Sequence, residues 1–251
     1  AWLPIGFANL ASAPAYLAMW IAMIGVLDAL ALRSLLASGS TRAIIAGWAW
    51  LGMLLALAPV ALLRLEGITA PIVVVAVTML ARRPWIAGAL LAVATWIKVW
   101  PAALIGAAIV ALHERMRILQ AGLVVTAGVV VAAIALGNAG FLASFATMQD
   151  ARNLQLEAPL ATPWVWMAML DVRDAAVFQN VALATREVVG PFDGLAQEAS
   201  TPLMLLATIA ALVLARIAVR RGADRHETLL TAALVVTVAM FACNRVGSPQ
   251  Y

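Results

Sequence analysis

The stretch PWIAGALLAVATWIKVWPAALIGAAIVAL, residues 84–112, joins two apolar runs through Lys98 and Pro101. Proline has no N–H group and is well suited to open a helix, so Pro101 predicts a break with a new helix beginning there. Residues 84–97 and 101–112 would form helices of about 21 and 18 Å at 1.5 Å per residue. Both fall short of the roughly 30 Å hydrocarbon core of a bilayer. The sequence therefore predicts two short helices that meet near Lys98.

The composition of the whole chain points to a membrane. Hydrophobic residues make up 65% of the 251 residues and charged residues 11%, and the mean hydropathy is +1.01. Soluble domains are about half apolar and a quarter charged. One cysteine and two histidines argue against disulfides and metal clusters, and the basic residues are dispersed, so we expect no nucleic-acid partner.

Eight apolar runs approach the roughly 20 residues of a membrane-crossing helix. They are residues 15–32, 43–63, 68–81, 84–97, 101–112, 118–137, 202–219 and 228–243. We therefore predict an all-α, polytopic membrane protein with a single transmembrane domain over residues 1–251 and an extracytoplasmic loop over residues 138–201. Because residue 1 is Ala and no signal peptide follows, we expect an N-terminal part of the protein to lie upstream.

The charges of the connecting segments predict the orientation, because cytoplasmic loops are enriched in Lys and Arg. One side carries Arg33, Arg42, Arg82, Arg83, Arg115, Arg117, Arg216, Arg220, Arg221 and Arg225, with few acids. The other side carries Arg64, Lys98, Arg152, Arg173, Arg186 and Arg245 together with Glu66, Asp150, Glu157, Asp171, Asp174, Glu187, Asp193 and Glu198. The first side is predicted to be cytoplasmic, and the second extracytoplasmic.

Lys98 is the single lysine of the chain. An ionisable residue at membrane depth indicates function by default, and broken helices are tolerated there where protein or a wet cavity surrounds them. Lys98 is therefore interpreted as pointing into a cavity. In the alternative interpretation it snorkels to the interface between Trp96 and Trp100.

Two further polar stretches fall on the same predicted side. Arg64 and Glu66 are two residues apart and do not share a helical face, so Arg64 would face a phosphate and Glu66 a sugar hydroxyl or a cation; a simple interfacial turn is the alternative. The run from Asp150 to Glu157, followed by Trp164, supplies groups that bind carbohydrate and phosphate. A solvated loop with Trp anchors is the alternative there.

Residues 174–188 show a helical spacing. Val177, Val181, Ala184 and Val188 recur at intervals of three or four, with polar residues between them. This pattern predicts an amphipathic helix on the membrane surface. Packing against the rest of the loop is the alternative.

Several motifs resemble, taken together, a family of actinobacterial polyprenol-phosphate-mannose-dependent mannosyltransferases, which are GT-C-type membrane enzymes. The motifs are Gly67, Ala87 to Leu91, Lys98-Val-Trp-Pro101, Arg152-Asn-Leu-Gln-Leu-Glu157, Glu187-Val-Val-Gly-Pro191 and the terminal Asn244-Arg-Val-Gly-Ser-Pro-Gln-Tyr251. The mycobacterial enzyme that extends phosphatidylinositol mannosides belongs to this family. The likeness extends over roughly residues 60–251.

The resemblance implies an inverting hexosyltransferase of glycolipid biosynthesis in the plasma membrane, with a GT-C-like helical bundle. It would transfer mannose from a polyprenyl-phosphate donor to an extracytoplasmic glycolipid or glycan, without a nucleotide sugar or a cofactor, and the sequence does not require a metal. Its usual base, an Asp or Glu of the first outer loop, would lie upstream of residue 1. The donor phosphate would bind Lys98, Arg152 and Arg245, and the substrates would bind Arg64, Glu66, Gln155, Glu157, Trp164, Asn244 and Gln250. A lipid-linked-sugar transporter or flippase is the alternative, and a membrane scaffold is a third.

Overall fold

The structure, a computed structural model, describes residues 13–142, 153–172, 174–181 and 185–246. It is mostly helical, with 75% of its residues in helices and few in strands. Four of the described helices are long and apolar enough to cross a membrane: Pro14–Leu36, Arg115–Ala135, Asp193–Arg220 and Arg225–Ala242.

The elements follow the apolar runs closely. In chain order the α-helices are α1 (Ala13–Leu36), α2 (Thr41–Ala56), α3 (Ala58–Leu63), α4 (Glu66–Met79), α5 (Pro84–Ile97), α6 (Ala102–Ala111), α7 (Arg115–Ala135), α8 (Thr162–Met169), α9 (Asp193–Arg220) and α10 (Arg225–Ala242). Short 3₁₀ turns occupy Ala139–Phe141 and Pro159–Ala161, and the strands are β1 (Ala176–Asn180) and β2 (Thr185–Val189). Each of the eight predicted runs is therefore helical.

The run over residues 43–63 departs from the prediction of one clear span. The chain leaves α-helical geometry at Leu57 and divides into α2 and α3. Pro59 explains the division, because it has no N–H group to donate to the carbonyl of Leu55 and continue α2. Because Pro59 lies in the first turn of α3, its missing N–H removes no hydrogen bond from that helix. Hydropathy alone concealed this break.

The last run turns out longer than predicted. α10 begins at Arg225 because the side chain of Asp224 caps it, Oδ1 accepting from the Glu227 N–H at 2.8 Å. The predicted run over 228–243 therefore lies, up to residue 242, in a helix of 18 residues that begins three residues earlier.

The described chain forms two compact units. The first contains the described residues up to 105 together with 113–126, and the second contains 106–112 and the described residues from 127 onward. In the first unit Trp20 and Ile24 of α1 pack on Ile68 of α4, and Trp20 Nε1 donates to the Leu62 carbonyl at 2.9 Å. Also in this unit, a Cβ at Gly88 would lie 2.8 Å from backbone atoms of Ile118, so glycine permits that close approach.

In the second unit two arginines hold the C-terminal end of α6. Arg225 donates to the Ala111 carbonyl at 2.8 Å, and Arg216 donates to the Val110 carbonyl at 3.3 Å. These carbonyls belong to the last turn of a helix, where no further turn can supply their donors. Cationic side chains are also favoured at that end by the helix dipole.

The helix predicted for residues 174–188 is wrong. β1 and β2 form an antiparallel pair in which Val177 lies opposite Val188 and Asn180 opposite Thr185. Valine and threonine are β-branched and favour a pleated strand over a helix. The spacing of three and four residues arose from two strands and their connection, not from successive helical turns.

Candidate functional site

The predicted break at Lys98 is confirmed. α5 ends at Ile97, and Lys98 has an extended backbone with φ −147° and ψ 146° while its N–H still donates to the Ala94 carbonyl at 2.9 Å. α6 begins at Ala102, directly after the fully buried Pro101. Lys98 therefore stands, with an extended backbone, in a short link between two helices of about 21 and 15 Å, each too short to cross a bilayer core alone.

The ammonium of Lys98 is paired with a carboxylate. Its Nζ donates to Oε1 of Glu66, the first residue of α4, and only 17% of the Lys98 side chain and 10% of the Glu66 side chain are exposed. This partnership within the first unit does not fit a lysine that snorkels freely at an interface. The two side chains form an almost buried ion pair, although 32 residues separate them.

Close packing fixes the position of Glu66. A Cβ on the next residue, Gly67, would lie 2.0 Å from the Ala61 carbonyl oxygen and 2.9 Å from Cδ1 of Ile24, so only glycine fits. The N–H of Gly67 donates to the Arg64 carbonyl, and the N–H groups of Ile68 and Thr69 donate to the Leu65 carbonyl. These three N–H groups therefore already donate to backbone carbonyls. The hydrogen-bonding groups that remain at the start of α4 are side chains.

Two polar atoms beside the ion pair lack hydrogen-bond partners among the described residues. They are Oε2 of Glu66 and Oγ1 of Thr69, which belong to residues that are 8% and 0% exposed. The two residues are three apart on α4 and therefore lie on the same helical face. Buried polar atoms are almost always satisfied in native proteins. This corner of the first unit therefore has hydrogen-bonding capacity for a small polar group such as a hydroxyl or a water.

The second unit contains a different polar centre around Glu187. This carboxylate on β2 is completely buried, and Thr185 Oγ1 donates to its Oε1 at 2.8 Å. Asn153 Nδ2 donates to Oε2 at 3.0 Å, and Asn180 Nδ2 reaches both oxygens at 3.2 and 3.3 Å. Neutral donors thus surround the charge from three segments of the chain.

Backbone bonds align the segment that carries Asn153 with β2. Gln155 lies opposite Glu187 as an isolated antiparallel bridge, the Val188 N–H donates to the Leu154 carbonyl, and the Leu156 N–H donates to the Arg186 carbonyl, both at 2.9 Å. Residues 154–156 therefore line the second edge of β2. On the other side of this centre Leu154 and Val188 pack with Ala158 and Ala161 into an apolar cluster.

The remaining predicted site residues take several environments. Arg64 and Glu157 are exposed, and Gln155 is buried with its N–H donating to the Arg245 carbonyl at 3.0 Å. Asn244 is half-buried and its Oδ1 accepts from the Val246 N–H at 3.0 Å. Arg152 and Gln250 lie outside the described residues.

Trp164 has a packing role in the second unit. Its Nε1 donates to the Pro191 carbonyl at 2.9 Å, and a Cβ at Gly190 would lie 2.7 Å from its Cδ1. The indole is half-buried against the turn that precedes α9. The structure thus gives Trp164 a structural contact, and a sugar-stacking role for it stays a prediction.

Sequence reasoning missed the importance of Glu187 and Thr69. A signal for Glu187 was present, because an acid followed directly by Val188 and Val189 in a strand-favouring run is unusual unless hydrogen bonds hold it. Thr69 gave no comparable signal. Within the part of the chain that the structure describes, no three His, Cys, Asp or Glu residues come together as metal ligands.

Comparisons with protein-family models, with curated proteins and with solved structures give no match for this chain.

Proposed function

We propose that this protein is a multi-pass plasma-membrane glycosyltransferase that transfers mannose from a polyprenyl-phosphate donor to an extracytoplasmic glycolipid or glycan. The observation that carries the proposal is the Lys98–Glu66 pair, held almost buried at a break between two short apolar helices. Ionisable groups at such breaks mark substrate sites in membrane proteins. The four helices of crossing length are consistent with the membrane placement.

The chemistry of the pair suits a phosphate-linked sugar. The leaving group of a donor of this class is polyprenyl phosphate. A cation in a poorly solvated site stabilises the charge that accumulates on that phosphate. Lys98 supplies that cation. The second oxygen of Glu66, which has no partner among the described residues, would accept a hydrogen bond from a sugar hydroxyl.

The proposed reaction is a single displacement. The oxygen of the acceptor hydroxyl forms a bond to C1 of the mannose while the bond from C1 to the phosphate oxygen breaks, with inversion at C1. The electron pair of the broken bond stays on the phosphate, and the hydroxyl proton passes to a carboxylate base. We assign no described residue to the base.

The polar centre around Glu187 would have a supporting part. It orders the segment that begins at Asn153, directly after Arg152 of the motif on which the resemblance rests. The amide of Asn153, which is exposed, is held in place by the Glu187 carboxylate.

The direct test is transfer by the purified full-length protein in proteoliposomes. Radiolabelled polyprenyl-phosphate-mannose and a bacterial glycolipid extract would be supplied, and both labelled glycolipid and free polyprenyl phosphate would be measured. We expect equal amounts of the two products, because each transfer of mannose releases one molecule of polyprenyl phosphate. A matched control is Arg33→Gln, which removes an exposed cation of α1 and should leave transfer unchanged, whereas Lys98→Met should abolish it.

Transport provides the contrary outcome. If labelled donor moves between the leaflets of the vesicle without forming product, and Lys98→Met stops that movement, the protein is a flippase and the transferase proposal is wrong.

A further inference from the structure

One face of α8 is apolar and exposed in the second unit. Trp166, Met169 and Leu170, the residue after the helix, are 57%, 71% and 67% exposed. The opposite face is occupied, because Trp164 and Val165 pack on the cluster around Leu154. Contiguous apolar surface of this kind marks an interaction site in a folded protein.

This surface lies at one end of α9. The bond from Trp164 to the Pro191 carbonyl ties α8 to the turn that precedes α9. Phe192 in that turn and Leu195 in the first helical turn are also apolar and exposed, at 73% and 64%. Exposed apolar side chains therefore stand on both of the elements that this bond ties together.

The length of α9 gives the level of this surface in a bilayer. The helix has 28 residues and is about 42 Å long, which matches the roughly 40 to 45 Å of a bilayer including its headgroups. When Arg220 at one end lies among the headgroups of one leaflet, Asp193 at the other end lies among those of the opposite leaflet. α8, tied to the residues just before Asp193, is then at headgroup level.

The composition of α8 matches that level. Its sequence TPWVWMAM contains no charged residue, and Trp166, one of its two tryptophans, lies on the exposed face. Tryptophan is enriched both where membrane meets water and in protein interfaces, so the headgroup level of α8, given by its tie to the start of α9, distinguishes the two. A lipid surface therefore fits this face better than a partner protein does.

We infer that Trp166, Met169 and Leu170, continued by Phe192 and Leu195, form a surface that inserts into the boundary between headgroups and acyl chains of the membrane that α9 crosses. The inference rests on the membrane placement in the proposed function. It adds a second kind of membrane contact to the spanning helices, and it would hold the Glu187 centre next to the bilayer surface.

Site-directed spin labelling of the full-length protein in liposomes tests this inference. In a Cys243→Ala background, single cysteines would replace Met169 and Leu170, each carrying a nitroxide. Two control positions would be labelled separately: Gln179, which is exposed and pairs in register with the exposed Arg186, and Ile209, which is exposed in the middle of α9. Collision rates with oxygen, which partitions into lipid, and with a water-soluble nickel chelate would be compared.

We expect labels at 169 and 170 to collide more with oxygen and less with nickel than the label at 179, and to lie shallower than the label at 209. Nickel accessibility at 169 and 170 equal to that at 179, with position 209 still in lipid, would overturn the inference and leave the membrane placement intact. Nickel accessibility at position 209 as well would overturn both the inference and the membrane placement of α9. Dipolar broadening at 169 without oxygen accessibility would show that a second copy covers the face, and would also overturn it.

The proposed reaction has its own readout on the same samples. Labels at 169 and 170 in lipid, on a protein that transfers no mannose, would confirm the surface and count against the transferase alone.

Discussion

Glu66 in the first unit and Glu187 in the second are both buried carboxylates, but their charges are stabilised in different ways. Glu66 has a cation on one oxygen, Lys98, and no described partner on the other. Glu187 faces no described cation within hydrogen-bonding range, and both of its oxygens accept bonds from neutral side chains. One centre is charge-balanced and incompletely hydrogen-bonded, and the other is fully hydrogen-bonded by neutral donors.

The difference separates a site that can respond to a ligand from one that maintains structure. A buried ion pair contributes little net stability, because desolvation offsets most of the attraction between the charges. In the proposed function, such a pair beside unsatisfied atoms binds the substrate. A fully satisfied network, in contrast, leaves no atom for a ligand and specifies one arrangement of its segments. In the proposed function the chemistry therefore lies near Glu66 and the scaffold near Glu187.

Lys98→Met has the largest expected effect. It keeps the length of the side chain and leaves the Glu66 charge buried without its cation, which costs about 3 to 5 kcal/mol when one partner of a buried pair is removed. Loss of the cation should also lower mannosyl transfer by about 100-fold or more. The measurements are the melting temperature in detergent and the rate of transfer.

The double variant Lys98→Met with Glu66→Gln separates the two effects. Removing both charges should restore most of the melting temperature but none of the transfer. Recovery of transfer in the double variant would contradict a role for the Lys98 charge in the reaction.

Glu187→Leu should come next. It leaves the donors of Asn153, Asn180 and Thr185 without their common acceptor. Asn153 is exposed and can donate to water instead, whereas an unsatisfied buried donor costs about 1 to 3 kcal/mol. We expect loss of protection in β1 and β2 by hydrogen exchange, because the acceptor that joins the three segments is gone. Glu157→Leu places the same substitution on an exposed carboxylate and should leave hydrogen exchange of the hairpin unchanged.

Thr185→Val sharpens the contrast with a smaller change. Valine keeps the β-branched shape that suits a strand, and the substitution removes only the hydroxyl that donates to Glu187 at 2.8 Å. A hydrogen bond to a charged group contributes about 1.5 to 3 kcal/mol. The melting temperature should therefore fall less than it does in Glu187→Leu. An equal loss would mean that the hydroxyl alone holds the carboxylate.

The helices were predictable from sequence because an apolar run of given length is a local property. The break at Lys98 was predictable for the same reason, since Pro101 acts on the residues next to it. Pro59 acts in the same way, but continuous hydropathy on both sides concealed it. The partner of Lys98 was not predictable as a pair, because Glu66 lies 32 residues away and only the packing of α4 brings it there.

The hairpin shows a different limit. Intervals of three and four residues describe a helical face, but two strands and a connection of four residues produce the same intervals. The β-branched residues were the better guide, and they also pointed to Glu187 as an acid within a strand. Recognising its three donors required the fold, since Asn153 lies 34 residues before it.

Arg64→Gln should have the smallest effect on stability, because it removes an exposed charge and not a buried one. Arg64 is exposed and lies in the link between α3 and α4, two residues before the buried Glu66. Substitutions at exposed positions usually change stability little. The melting temperature should therefore stay close to that of the unsubstituted protein. If the exposed guanidinium guides the donor phosphate towards the Lys98–Glu66 pair, the KM for polyprenyl-phosphate-mannose should rise while kcat stays nearly constant, because the lost contact is made before the reaction and during it alike. The rise should shrink at high salt, where an exposed charge is screened. A fall in kcat at constant KM would instead make Arg64 part of the reacting centre, and the division between a chemical pair and an exposed guide would be wrong.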